Sequence, residues 1–149
     1  MTARPRRIGR LARVRDGTVA LEFALLAVPF LMLSFGIIEF GRLIWTTEAL
    51  QATAAIGARC MGVLASSCSS SGAYSSTASS TYIVSIASGW NVTIPTSALT
   101  LTTSGTCGGV TGFSEVTITY SFQTVVPLLL DSLAAGIPLD VTACFPNQA

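Results

Sequence analysis

The sequence contains no histidine and no lysine, and only 10% of its 149 residues are charged, where an ordinary soluble domain carries about a quarter. Without histidine, the chain has no Ser-His or Cys-His nucleophile pair, no zincin motif and no histidine general base. Without lysine, P-loop and Schiff-base chemistry are excluded. The sequence therefore gives no argument for an enzyme, a cofactor or a metal site, and its length suggests one domain.

The few charges are unevenly distributed along the chain. All eight cations are arginines, and six of them lie in residues 1–15, which contain no acid and so carry a net charge of +6. Residues 16–149 contain two arginines and seven acids, which gives a net charge of −5. Nucleic-acid binding needs cations spread over a folded face rather than gathered in a short tail. We therefore expect no nucleic-acid partner.

An apolar segment follows the basic tail and is long enough to cross a membrane. Residues 23–38 contain no charge, and with residues 18–22 they make about 21 residues, or roughly 31 Å of helix, against a bilayer core of about 30 Å. A secretory signal peptide has a shorter apolar region and a cleavage site of small residues, which is missing at residues 37–40. We predict a retained transmembrane helix over residues 18–40. Because arginine is enriched on short cytoplasmic flanks, we expect the N-terminus in the cytoplasm and the residues after the span outside.

One acidic residue, Glu22, lies inside the apolar segment. A carboxylate at the bilayer centre costs about 2.5–3.5 kcal/mol on insertion scales, and less near an end, so an acid in a span indicates a function. The alternative is that Glu22 lies one turn inside the interface and merely reaches water. The surroundings favour a function, because Gly17 ends the basic leader and Glu22 follows it by five positions. This arrangement resembles the type IV prepilin signature, in which a membrane peptidase cuts after the glycine on the cytoplasmic side.

The resemblance extends well beyond the glycine and the glutamate. Over roughly residues 16–62 the sequence resembles the TadE-like family, the minor pseudopilins of the tight-adherence (Flp, type IVc) pilus machinery. The stretches that carry this resemblance are TVALEFALLAVPF from Thr18, FGIIEFGRL from Phe35, ALQA from Ala49 and GAR from Gly57. A weaker resemblance to the family's C-terminal half covers VTITYSF from Val116 and VPLL from Val126.

The resemblance implies a processing site and a set of partners. A prepilin peptidase would cut between Gly17 and Thr18, so that Thr18 becomes the first residue of the mature chain. Many type IV pilins have Phe or Met there, so methylation of the new amine is left open. The Glu22 carboxylate would pair with an α-ammonium, its own or a neighbour's, which would offset the cost of desolvating two charges. The implied partners are the peptidase, other pilin or pseudopilin subunits, the pilus assembly platform and the lipid bilayer of the bacterial inner membrane.

Beyond the span, the sequence pattern predicts an α+β fold. A weak stripe of apolar and small residues predicts that the transmembrane helix continues outside the membrane over residues 41–65. We expect a Ser-rich loop over residues 66–81, and a small C-terminal domain over residues 82–149 that opens with a short helix from Tyr82 to Trp90.

Three segments of the C-terminal domain alternate apolar and polar residues in the manner of half-buried strands. They cover residues 98–103, 115–122 and 139–145. Three antiparallel strands with one apolar face are not stable alone in water. We therefore predict that the outer half of the long helix packs on this small sheet.

The four cysteines are Cys60, Cys68, Cys107 and Cys144, and none forms a C-x-x-C pair, so zinc and thioredoxin-like sites are weak interpretations. All four follow the span, on the side expected to be oxidising, so we expect two disulfides. Of the three possible connectivities we favour Cys60–Cys68, which would tie the helix end to the Ser-rich loop, and Cys107–Cys144, which would tie a turn to the last strand. The alternative is four free buried thiols.

Two functions from different classes remain. The first is a structural pseudopilin that is cut after Gly17 and acts in pilus assembly, adhesion or secretion. The alternative is an uncut single-pass inner-membrane protein whose outer domain binds a ligand or senses the envelope. Cutting would remove all six clustered arginines and leave residues 18–149 with two arginines and six acids, a side-chain charge of −4.

Overall fold

The computed structural model describes residues 16–125 and 136–148. The described chain forms two α-helices, α1 (Asp16–Gly62) and α2 (Ser76–Gly89), and a short 3-10 turn at Thr96–Ala98. Its strands are β1 (Ser69–Ser70), β2 (Ala73–Tyr74), β3 (Leu99–Cys107), β4 (Val110–Phe122) and β5 (Ile137–Pro146). The predicted α+β class is confirmed. The basic leader before Asp16 and the VPLL stretch from Val126 lie outside the described residues.

The chain divides into two compact units, the N-terminal unit Met1–Ile38 and the C-terminal unit Glu39–Ala149. The described part of the N-terminal unit is the first half of α1, which stays helical through Pro29. The C-terminal unit contains the rest of α1 and every other element. The outer helix and the strands, which the sequence pattern treats as successive segments, therefore fold together.

Helix α1 ends at Gly62, three residues before the predicted end. The amide of Leu64 donates to the Met61 carbonyl at 3.2 Å, and the amide of Ala65 donates to the Cys60 carbonyl at 3.0 Å. Leu64 has a φ of 50°. This is a Schellman motif, which uses a left-handed residue to satisfy the last carbonyls of a helix. Leucine gives no sequence signal for it, because glycine is the usual residue at that position.

The prediction that residues 66–81 form a loop is wrong in part, since α2 begins at Ser76 rather than Tyr82. The Ser75 side chain caps the helix by accepting a hydrogen bond from the amide of Ala78 at 3.3 Å. The three buried residues of α2 lie four apart: Ser79, Ile83 and Ala87. Serine composition favours a linker, but the cap and this buried face make a helix.

Ser79 satisfies its buried hydroxyl across the neighbouring segment. Its hydroxyl donates to the Cys68 carbonyl at 3.2 Å, and its side chain also bonds to Tyr74. Burial raises the pKa of the Tyr74 phenol, and the bond to Ser79 acts in the opposite direction. The small β1–β2 hairpin is thereby fixed against α2.

The larger sheet is antiparallel with the order β3-β4-β5. The β3–β4 hairpin closes on Gly108 and Gly109, whose φ angles of 60° and 84° suit a two-residue turn of type I′. Strands β4 and β5 pair without a register shift from Phe113↔Pro146 to Phe122↔Ile137. Strands β3 and β4 are therefore longer than the predicted segments 98–103 and 115–122, and the turn between them is correspondingly short.

The outer half of α1 covers the apolar face of this sheet, as predicted. The core combines helix residues with sheet residues, all buried: Ala49, Leu50, Ala54, Ala58 and Met61 with Val116, Ile118 and Val141. Small residues allow the helix to approach closely. A Cβ on Gly57 would lie 2.7 Å from Ile83 Cγ1 and 3.5 Å from Val116 Cγ2.

Both favoured disulfides are present, and the described residues contain no free cysteine. Cys60–Cys68 joins the last turn of α1 to the segment before β1, with its Cα atoms 5.9 Å apart. Cys107–Cys144 joins the two outer strands of the sheet, with its Cα atoms 6.5 Å apart. The first disulfide thus fixes the end of α1 to the segment that follows it, and the second fixes β3 to β5.

Replacing Gly57 with valine should destabilise the C-terminal unit, because the new side chain would collide with the fully buried Ile83. We expect the free energy of unfolding to fall by about 1–3 kcal/mol, the usual cost of overpacking. Gly41→Val is the matched control, since a Cβ at Gly41 meets nothing within 4 Å. Denaturant unfolding in detergent, followed by near-UV circular dichroism, measures both variants. Equal stability of the two would contradict the close packing at Gly57.

Candidate functional site

The first half of α1 exposes apolar side chains on every side. Residues 30–33 are four consecutive positions, about 100° apart around the helix, so together they sample its whole circumference. Phe30 is 67% exposed, Leu31 49%, Met32 52% and Leu33 65%. Within the described chain, this is the one helix long and apolar enough to cross a membrane. No described element covers it.

Polar groups within this half are few, and their local geometry suits an apolar surrounding. The hydroxyl of Ser34 donates to the Phe30 carbonyl at 2.8 Å, so it needs no outside partner. Pro29 lacks an amide proton, which removes one helical hydrogen bond without breaking the helix. Helices in membranes tolerate such a proline.

The residues of the expected processing site lie at the start of α1. Gly17 is the second residue of the helix, and Thr18 and Glu22 are exposed. Thr18 and Glu22 stand at i and i+4, so they share one face of the helix. The structure thus places Thr18 and the Glu22 carboxylate one helical turn apart, while the cut and the pairing remain predictions.

A second acid on α1, Glu39, is buried where the C-terminal unit begins. Its side chain is 8% exposed and accepts a hydrogen bond from Arg42 Nη1 at 2.8 Å on Oε1. The same oxygen accepts from the amide of Val125 at 3.4 Å, just after β4. The other oxygen, Oε2, is buried without a hydrogen-bond partner among the described residues.

Arg42 extends this contact to the sheet. Its guanidinium carbon lies 5.4 Å from the centroid of the Phe122 ring, the last residue of β4, within the range of a cation–π interaction. Glu39 and Arg42 therefore connect α1 to the end of β4 through one backbone amide and one ring. In the sequence, Glu39 and Arg42 stand at i and i+3, and this spacing gives no sign of the burial of Glu39.

A possible metal-ligand group also occurs on the sheet. Cys107, Glu115 and Cys144 bring potential ligand atoms within 4.8 Å of one another. Both sulfurs belong to the same disulfide, whereas a metal-binding cysteine acts as a thiolate. In the structure, Cys107 and Cys144 therefore link two strands of the sheet covalently.

The described C-terminal unit also has depressions on its surface. One is an open hollow of about 600 Å³ lined mainly by hydroxyl residues from the β1–β2 hairpin, its flanks and α2. Another is a cleft of about 240 Å³ lined by Trp45, Glu48, Ala49, Ala52 and Trp90. Sequence reasoning missed the tryptophan cleft, although the chain has only two tryptophans and both lie there.

Comparison with known protein families matches the N-terminal part of the chain. The model of the family described as TadE-like protein matches residues 17–59. This segment is TadE-like. The match begins at Gly17 and covers the exposed apolar half of α1 and most of the half that packs on the sheet. Comparisons with curated proteins and with solved structures find no match.

The TadE-like segment gives the chain a general assignment. The family is a structural one associated with the tight-adherence pilus, and its members work with other pilus components. An exposed apolar helix near the N-terminus and this family together fit a single-pass membrane protein.

Removing the Glu39 carboxylate should weaken the junction between α1 and the end of β4. In Glu39→Ala the amide of Val125 and the Arg42 guanidinium lose their shared acceptor. We expect the free energy of unfolding to fall by about 0.5–1.5 kcal/mol, the usual net contribution of a hydrogen bond, because both donors belong to partly exposed residues. Glu39→Gln keeps one acceptor oxygen, so we expect its free energy of unfolding to fall by less than that of Glu39→Ala.

Glu48→Ala removes an exposed acid from the same helix and serves as the control. Chemical denaturation of the three variants in one detergent provides the comparison. If Glu39→Ala and Glu48→Ala unfold at the same denaturant concentration, the Glu39 junction does not stabilise the C-terminal unit.

Proposed function

We propose that this protein is a structural pseudopilin of a tight-adherence pilus, processed after Gly17 by a prepilin peptidase. The observation that carries the proposal is the overlap of the family match with an exposed apolar helix. The TadE-like match begins at Gly17, and the helix that follows is exposed and apolar on every side. A helix of this kind suits a protein that first lies in a membrane and later packs among other helices.

Processing would change the charge at the membrane edge. The cut creates an α-ammonium on Thr18, four residues before Glu22 and on the same helix face. The carboxylate then neutralises an ammonium, its own or that of an adjacent subunit, and pairing offsets the desolvation of both groups. The acid that is costly in the uncut span becomes part of the assembly site.

The cysteines support the orientation of the proposed pseudopilin. All four belong to the C-terminal unit and all four are paired. Disulfides persist in oxidising compartments and are rare in the cytoplasm. This agrees with a cytoplasmic arginine-rich leader and an extracytoplasmic C-terminal unit. The peptidase would then meet Gly17 on the cytoplasmic side.

The partners of the proposed pseudopilin follow from its two surfaces. The apolar half of α1 packs with lipid in the inner membrane and with other pilin helices in the pilus, through residues 18–45. The C-terminal unit contacts partner subunits and the assembly platform. The protein thereby acts in pilus assembly and in the adhesion or secretion that the pilus serves. An uncut membrane protein with a sensing domain is the alternative that the next experiment separates.

Gly17→Ala should block processing, because the peptidase site admits a backbone without a side chain. We expect the variant to stay at precursor length in cells that contain the peptidase, and still to insert in the membrane. Immunoblots of membrane fractions, with and without the peptidase, show the change in length.

Gly36→Ala is the matched control, since it makes the same substitution in the same helix at a position where a Cβ meets nothing within 4 Å. It should be processed like the native chain. Normal processing of Gly17→Ala, or a native chain that keeps its leader beside an active peptidase, would leave the uncut alternative.

Glu22→Gln should separate processing from assembly. The substitution keeps the shape of the side chain and removes its charge, so we expect the cut to proceed and incorporation into pili to fall about tenfold, the equivalent of roughly 1.4 kcal/mol. The amount of subunit in sheared pili, relative to the amount in membranes, measures this effect. Glu48→Gln removes an acid beyond the span and should assemble normally. Equal incorporation of both variants would contradict charge pairing at Glu22.

A further inference from the structure

The two tryptophans of the chain lie side by side on the surface of the C-terminal unit. The ring centroids of Trp45 and Trp90 are 5.9 Å apart and their planes meet at 65°, an edge-to-face pair. Trp45 is 57% exposed and Trp90 is 37% exposed. Large aromatic rings stabilise a fold mainly when they are buried. Their exposure therefore points to a surface that the described residues leave uncovered.

The tryptophan pair continues a band of exposed apolar residues on α1. Phe40 is 64% exposed and Ile44 is 48% exposed, and they lie at i and i+4 on one face. Trp45 follows directly. On the sheet side, Val125 is 69% exposed, and its amide contacts Glu39 at the first residue of the same unit. Part of the exposed apolar surface of the C-terminal unit thus lies at the end where the expected span stops.

The position of Trp45 along α1 matches the headgroup layer of a bilayer. It follows Phe40, the last residue of the expected span, by five residues, or about 7.5 Å of helix rise. The headgroup region adds about 5–7 Å on each side of the hydrocarbon core. Side chains on a helix also lean toward its N-terminus, which brings the ring closer to the core. Tryptophan is enriched at this level because its ring is apolar and its N–H is polar.

The charges around the pair follow the same order. Arg42, whose side chain is 43% exposed, lies between Phe40 and Trp45 and can donate to lipid phosphates. Glu48 lines the far side of the tryptophan cleft and is exposed. Along the helix, the exposed groups follow in the order Phe40, Arg42, Ile44, Trp45 and Glu48. The cation and the indole thus lie nearest the expected span and the exposed acid lies farthest from it, an arrangement that suits a headgroup layer.

We propose that Trp45 and Trp90 form an interfacial anchor that binds the phospholipid headgroup layer of the outer leaflet. The anchor fixes the depth of α1 and holds the C-terminal unit against the membrane before assembly. The proposal rests on the membrane span of the proposed function, and its test separates the two.

Intrinsic fluorescence tests the anchor directly, because the chain has no other tryptophan. The full chain is reconstituted in vesicles of phosphatidylethanolamine and phosphatidylglycerol that carry bromine near the glycerol or near the acyl-chain end. Trp45→Phe and Trp90→Phe each leave one native reporter. Two further single-tryptophan proteins, built on the double Trp→Phe background, supply the references.

The first reference is Phe30→Trp, which reports on the middle of the span. The second is Val110→Trp, at an exposed position in the β3–β4 turn. Val110 lies at the opposite end of β4 from Phe122, about 40 Å away along the strand, so it should contact no lipid. Both references contain the two Trp→Phe substitutions of the double background, and neither changes any other residue of the proposed anchor.

We expect both native tryptophans to be quenched about twice as strongly by shallow bromine as by deep bromine, as befits residues at headgroup level. Phe30→Trp should show the reverse order, and Val110→Trp should be quenched by neither lipid. Quenching of Phe30→Trp without quenching of Trp45 and Trp90 would overturn the anchor and leave the span intact. Failure of Phe30→Trp to respond would overturn the span itself. Native tryptophans shielded from both lipid and aqueous acrylamide would indicate a protein cover and also overturn the anchor.

Discussion

The rest of the structure depends on the exposed apolar surface of α1. Thirteen large apolar side chains between Val19 and Ile38 remain exposed. Burying one such side chain contributes about 1.5–3 kcal/mol, so covering them all contributes roughly 10–20 kcal/mol after allowance for the part already covered. This matches or exceeds the total stability of a typical domain, about 5–15 kcal/mol. The surroundings of the helix, a bilayer or other helices, therefore determine where the protein resides more strongly than the C-terminal unit does.

One helix meets two different packing requirements along its length. In the first half, bulky side chains point in all directions and no described residue covers them. In the second half, small residues such as Ala54, Gly57 and Ala58 let the helix lie against the sheet and α2. Glu39 and Arg42 mark the change, because there a partly buried ion pair connects the helix to the residues that end β4. Large apolar residues thus occupy the half of α1 that no described residue covers, and small residues occupy the half that packs on the sheet and α2.

The sequence was sufficient for the features that depend on local pattern. The long apolar helix, its outer continuation, the alternating strands and the two favoured disulfides follow from hydropathy, period and the positions of cysteine, and the structure contains them. The start of α2 was missed because a run of serine resembles a linker, while Ser75 and Ser79 acquire their roles from contacts with distant backbone. The burial of Glu39 and the Trp45–Trp90 pair depend on residues far apart in sequence, so no local pattern indicates them. The processing site is a matter of chemistry between this chain and a peptidase, and it remains a prediction.

The central claim is that a retained apolar helix becomes the new N-terminus of a disulfide-bonded pseudopilin. The intact mass of the protein extracted from cell membranes tests this claim most directly. The account predicts the mass of residues 18–149 less four hydrogens for the two disulfides, with one methyl group more if the new amine is modified. A mass that still includes residues 1–17, from cells with an active prepilin peptidase, would contradict it.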